Sequence, residues 1–168
     1  MTDIAEQELS GWNDNKAVWE AAQIAQERRL ACLREHRDFA FETVFSTQEK
    51  VDFLFQAKAA GFFIRFFFVG TTSPAINAKR ITERYQKGGH SVPIEKIVSR
   101  YERSIRNALD AATIVDRAYF YDNSVDIEDG KEIVWTPCFR TVNGRLCTKY
   151  PRPDVTWART LYDTLATF

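Results

Sequence analysis

The sequence predicts an α/β domain, a parallel sheet flanked by helices and followed by a C-terminal β-hairpin. Apolar runs of strand length occur at 39–45, 62–69 and 117–122. Stretches with helical spacing of apolar residues separate them, over 12–37, 47–60, 74–87 and 93–115. Alternation of this kind marks parallel strands joined by right-handed crossovers. Near the C-terminus, Asn143-Gly144 sits between two β-rich stretches, the strongest short-range hairpin signal.

Each element has a local reason. Over 12–37, Trp12, Val18, Trp19, Ala22, Ile24, Ala25, Leu30 and Leu33 recur at helical spacing. Ser46 or Thr47 suits the cap of the next helix, and Gly61 its C-terminal stop. The run from Phe62 to Val69 is almost wholly apolar, as expected of a parallel strand covered on both faces. Ser73 as cap and Pro74 at the first helical position open the helix over 74–87. Gly88-Gly89 breaks it, and Pro93 opens the next. A strand at 117–122, a hairpin near 133–149 and a short helix near 154–165 complete the chain, with no internal repeat or linker. Residues 1–168 therefore read as a single domain, with a hairpin-and-helix tail from about 130 to 168.

Composition narrows the function. The 23 Lys and Arg balance the 23 Asp and Glu, which argues against a broad, sequence-independent hold on nucleic acid while allowing a local basic patch. No apolar run approaches the roughly 20 residues of a membrane-spanning helix. The acidic, polar N-terminus does not resemble a signal peptide, so a cytoplasmic location is expected, with neither membrane nor nucleic acid as partner. Cys32, Cys138 and Cys147 are an odd number without metal-ligand spacing, so neither a disulfide framework nor a metal site is expected. Phe crowds into residues 39–68, which are expected to lie deep in the core.

Two features could carry chemistry. Between Lys79 and Arg106 lie Arg80, Arg84, Lys87, His90, Lys96, Arg100, Arg103 and Arg106, with the glycine pair among them. Arg80 and Arg84 share one helix face. Two helices joined by a glycine turn would present several guanidinium groups to one space, and guanidinium binds phosphate oxygens bidentately. The alternative is a solvated face paired with Glu83, Glu95 and Glu102. The second feature is Glu42, inside an apolar run near what would be a strand's carboxyl end, where open α/β sheets bind ligands. A carboxylate there is either functional or paired with an arginine. His90, a lone histidine after the glycines, reads on its own as an exposed loop residue. No Ser/His/Asp order stands out, and Gly130-Lys131, the one Gly-Lys pair, lacks the rest of a Walker A motif.

The order and spacing of several short motifs carry a resemblance. They are the stretch from Phe39 to Thr43, Gly61 before a strand, Ser73-Pro74 opening a helix, and Arg84-Tyr85-Gln86-Lys87-Gly88-Gly89-His90-Ser91-Val92-Pro93 followed by Arg100-Tyr101-Glu102-Arg103-Ser104 and Asn107. Tyr121-Asp122-Asn123-Ser124 and the Asn143-Gly144 and Tyr150-Pro151-Arg152-Pro153 ending extend it. Together they resemble the zeta-toxin-like P-loop kinases, also described as predicted ABC-type ATPases. The resemblance implies a P-loop-kinase-like sheet, a helical lid over about 74–108, and ATP- and Mg²⁺-dependent phosphoryl transfer to a small hydroxyl-bearing acceptor. For zeta toxins proper the acceptor is UDP-N-acetylglucosamine, and an antitoxin or a complementing chain is the implied protein partner.

By the same resemblance Arg84 is the lid arginine and Arg80, His90, Arg100 and Arg103 complete a phosphate-binding lid. Glu42 and Thr43 take the acceptor-site positions. Asp3, within Asp3-Ile4-Ala5 and ahead of Leu9-Ser10, takes that of the general base. The family's first strand and phosphate loop have no counterpart here. Phosphoryl transfer rests largely on that loop's amides, its lysine and Mg²⁺. The chain is therefore expected to be inactive alone: either a truncated kinase, a kinase completed by another chain, or a non-catalytic binding or interaction module.

Overall fold

The computed structural model describes residues 15–86, 92–125, 135–150 and 155–167. Among these residues, five helices and four strands follow one another in the order α1 (Asn15–Arg34), α2 (Gln48–Ala59), β1 (Arg65–Gly70), α3 (Pro74–Gln86), α4 (Ile94–Ile114), β2 (Arg117–Asp122), β3 (Thr136–Val142), β4 (Arg145–Lys149) and α5 (Thr156–Leu165). The strands form one sheet in the order β1-β2-β3-β4. β1 and β2 are parallel, and β3 and β4 add antiparallel, so the sheet is mixed rather than parallel throughout.

The α/β alternation and most boundaries follow the sequence. Ser73 caps α3 as expected, its hydroxyl accepting from Ala75 N at 3.2 Å. The hairpin turns on Asn143 and Gly144 with φ of 49° and 76°, the paired positive values a type I′ turn requires. Pro137 lies where the β2–β3 register shifts, a place that tolerates a missing N–H.

The expected strand at 39–45 is absent; residues 37–46 are irregular. Phe39 and Phe41 stack on each other, and each meets Phe53 edge-on, so their side chains join the α1–α2 layer rather than the sheet. Phe45 then takes a φ of 56°, unusual for a bulky residue and incompatible with a continuing strand. Buried Asn107 of α4 holds the bend, its Nδ2 donating to Phe45 O at 3.0 Å and Thr47 O at 3.3 Å. The local apolar run therefore finds its burial against helices, without a ladder.

One face of the sheet carries the core. Phe68, Phe120 and Phe139 pack there with Trp157 and Leu161 of α5 and with Ala108, Ala111 and Ala112 of α4. Among the described residues the other face is largely uncovered, against the expectation of a strand covered on both sides. Phe63 and Phe67 are 59% and 56% exposed, so the phenylalanine-rich segment is only partly core. Among the described residues no helix is long and apolar enough to cross a membrane.

Asp116, at the α4–β2 junction, accepts from Ile64 N at 2.8 Å and pairs with Lys58 of α2. Desolvation alone would raise its pKa, but the Lys58 ammonium and the Ile64 amide outweigh that and hold it below the ordinary carboxylate range. Its contribution to stability is thus complete above the unfolded pKa of about 3.9 and is lost as pH falls through the lower folded value. Acid titration of the unfolding free energy should show this loss, and Asp116→Asn should flatten that limb. Asn107→Ala should cost roughly 1–3 kcal/mol, because two carbonyls lose their donor. A urea series should show a lower midpoint at unchanged slope, with Lys16→Ala, on the surface of α1, as the near-neutral control.

Candidate functional site

The carboxyl ends of β1 and β2 are the one place where two parallel strands finish side by side among the described residues. Open α/β sheets bind ligands beyond such ends. β1 finishes in Gly70-Thr71-Thr72 and β2 in Asp122-Asn123-Ser124. Asn123 N donates to Gly70 O at 2.8 Å, carrying the ladder one step past the strands. Thr72 N donates to Ser124 Oγ at 2.7 Å, and Ser124 Oγ donates to Asp122 Oδ1 at 2.7 Å. Ser124 N donates to the other carboxylate oxygen at 3.2 Å. A buried carboxylate is costly unless donors surround it, and here Ser124 supplies two.

Neighbouring elements fix this surface. The Tyr101 hydroxyl of α4 donates to Thr71 O at 2.9 Å. Arg80 of α3 donates through Nη1 to Asn123 O at 2.7 Å and through Nη2 to Val125 O at 3.1 Å. Burial, then the Asp122 charge, pushes the Tyr101 phenol up from its ordinary value. Burial first and Asp122 second also push the Cys138 thiol up to about 11, so Cys138 is protonated at neutral pH and is no thiolate nucleophile.

Trp157 closes the inner side. A Cβ on Gly70 would lie 2.7 Å from its Cε2 and Cζ2, so only glycine fits. The indole Nε1, bonded to that same Cε2, is buried without a hydrogen-bond partner.

The residues expected to form a site are distributed differently. Asp3 and His90 lie outside the described residues. Glu42 is exposed on the irregular segment, not buried at a strand end, so the cost that singled it out does not arise. Thr43 is exposed, and its Oγ1 accepts from Phe45 N at 3.1 Å. Arg80 is half-buried and committed to two carbonyls. Arg84, Arg100 and Arg103 are exposed on α3 and α4, which pack against each other.

Asp122, Ser124, Thr72, Tyr101 and Trp157 were not singled out as site residues. The sequence carries a signal for three of them, Thr72, Asp122 and Ser124: polar triplets directly after the apolar runs ending at 69 and 121. Among the described residues no group of three or more His, Cys, Asp and Glu could hold a metal ion. A cavity of about 190 Å³ lies elsewhere, against α1 and α2, lined by Arg29, Glu49, Lys50 and Phe53 among others. Arg29 covers the Phe41 ring at 5.0 Å. No family model, no curated protein and no solved structure matches the chain.

The Gly70–Trp157 contact is testable by a double-mutant cycle. Gly70→Ala should destabilise by about 1–3 kcal/mol through overpacking. In a Trp157→Phe background the same change should cost measurably less, since the atoms it meets belong to the larger ring system. Thermal or urea unfolding of the four proteins gives the coupling.

Proposed function

We propose that this domain binds a small ligand bearing both hydroxyl and phosphate groups, of the nucleotide-sugar kind, beyond the carboxyl ends of β1 and β2. On this reading it transfers no phosphoryl group by itself. One observation carries the proposal: two parallel strand ends are joined through Thr72, Ser124 and Asp122 into one polar surface, and the arginine-bearing α3 departs directly from it. The anionic Asp122 end suits hydroxyl donors and disfavours phosphate. The phosphate falls to the other end. Arg80 is spent on carbonyls beside Asp122, and Arg84 lies one turn, about 6 Å, further along α3. Arg84 then takes the phosphate, with Arg100 and Arg103 on the packed helix contributing charge.

A second reading is zeta-toxin-like phosphoryl transfer, completed by a phosphate loop that these 168 residues do not contain. What supports it is the packed α3–α4 pair, which covers the stretch where the sequence resemblance puts the lid. ATP and Mg²⁺ would enter with that loop.

Calorimetric titration separates the two. The chain should bind a UDP-sugar, and Arg84→Ala should weaken binding roughly tenfold or more, the loss of one charge-assisted contact. Arg37→Ala, on the far loop and paired with Glu35, should change nothing. ATP with Mg²⁺ should bind weakly or not at all. Low-micromolar ATP binding would favour the kinase reading. Failure to bind any UDP-sugar, or binding indifferent to Arg84, would defeat the proposal.

A further inference from the structure

The open face of the sheet has a composition that the strand-end site does not use. The register places Arg65, Arg117, Val142 and Arg145 in one row across the four strands. Two residues along β1, β2 and β3, about 6.6 Å, and three along β4 across its register shift, the next row is Phe67, Tyr119, Arg140 and Thr148. Directly opposed residues share a face, so these eight side chains stand on one surface. None is a carboxylate, and four are arginines. Among the described residues none of those arginines is in an ion pair.

The aromatic rings are equally concentrated. Phe67 and Tyr119 stack at 4.9 Å and 10°. Tyr121 meets Trp135 at 6.0 Å, and Trp135 is 46% exposed. Arg65 and Arg117 both lie over the Phe63 ring, at 5.7 and 5.6 Å. A chain of zero net charge thus gathers four cations and several exposed rings on one face, with no acid between them among the described residues.

We propose that this face binds single-stranded nucleic acid. The charge pattern selects a polyanion, since guanidinium forks pair bidentately with phosphate oxygens. The rings select one that offers unstacked bases, since every base has a face to stack on an aromatic side chain. A duplex hides its bases and needs an element that enters a groove, which this sheet face lacks. The overall charge balance excludes a broad hold on nucleic acid but permits a hold confined to this patch. The surface is independent of the strand-end site.

The experiment uses the whole chain and fluorescein-labelled oligothymidine and oligouridine of about 12 nucleotides, within the usual site size of such surfaces. Anisotropy should show binding at about 50 mM salt that weakens with a log–log slope of about −0.7 for each phosphate contacted. Phe67→Ala and Tyr119→Ala should each weaken it about 5- to 100-fold, one lost base stack. Arg117→Gln should reduce the slope by about 0.7 without altering the fold, since its side chain is exposed. Phe55→Ala is the control, being 56% exposed on α2, and should leave binding unchanged. The DNA and RNA arms decide which strand is preferred, and binding of either supports the proposal.

No binding at low salt overturns it, as does equal loss in Phe55→Ala and Phe67→Ala. Concentration-dependent dimerisation that Phe67→Ala abolishes, without oligonucleotide binding, would assign the face to a second copy instead.

Discussion

The stripe of small residues on α4 sets the distances in this fold. Ala108, Ala111 and Ala112 are fully buried and let the helix backbone lie close to a sheet whose inner face is crowded with phenylalanine. Phe120 and Phe139 stack at 4.2 Å beneath it, and Phe68 meets Phe120 and Trp157. Larger side chains on α4 would lift it from the sheet and separate Tyr101 from Thr71 and Asn107 from Phe45. Both polar ties depend on the close approach, since hydrogen bonds fail within a few tenths of an ångström. The helix that supplies the packing therefore also supplies the pins for the strand end and for the α1–α2 layer.

Much of the fold was legible because its signals are local. Ser73-Pro74, Asn143-Gly144 and the apolar runs before Val69 and Asp122 each have a short-range cause, and each element appeared close to its expected bounds. The apolar run at 39–45 predicts a strand and folds as packed coil because the two share that composition. What decides between them is Asn107, distant in sequence, which holds Phe45 in a conformation no periodicity announces. The all-parallel sheet was a similar extrapolation. The hairpin was recognised, but nothing local says that it pairs with β2 and makes the sheet mixed. The open face was invisible for another reason: a continuous apolar run cannot tell a strand covered twice from one covered once.

The site was less legible than the fold. Residue type drew attention to Glu42, whereas position would have drawn it to Asp122 and Ser124. A carboxylate at the end of a strand that pairs in parallel is more informative than one inside an apolar run. The arginines were visible as a cluster, but not their division of labour. Arg80 spends its donors on Asn123 and Val125 and stabilises the loop after β2, while Arg84, one turn on, stays in solvent. Sequence spacing gives the shared helix face and cannot say which member is already occupied.

The Asn107 tie spans 62 residues to Phe45 and 60 to Thr47. Helices α1 and α2 are joined by the 13 residues of 35–47 and meet through Leu30 and Leu33 against Phe53 and Ala57, a separation of about 20 residues. Their fastening to α4 requires a far longer loop to close first. A bond of that kind is expected to form late on the folding path. Late contacts act chiefly on the unfolding rate and little on the folding rate. On this argument Asn107 is expected to act as a kinetic latch, governing how long the N-terminal layer stays docked rather than how fast the chain finds its fold.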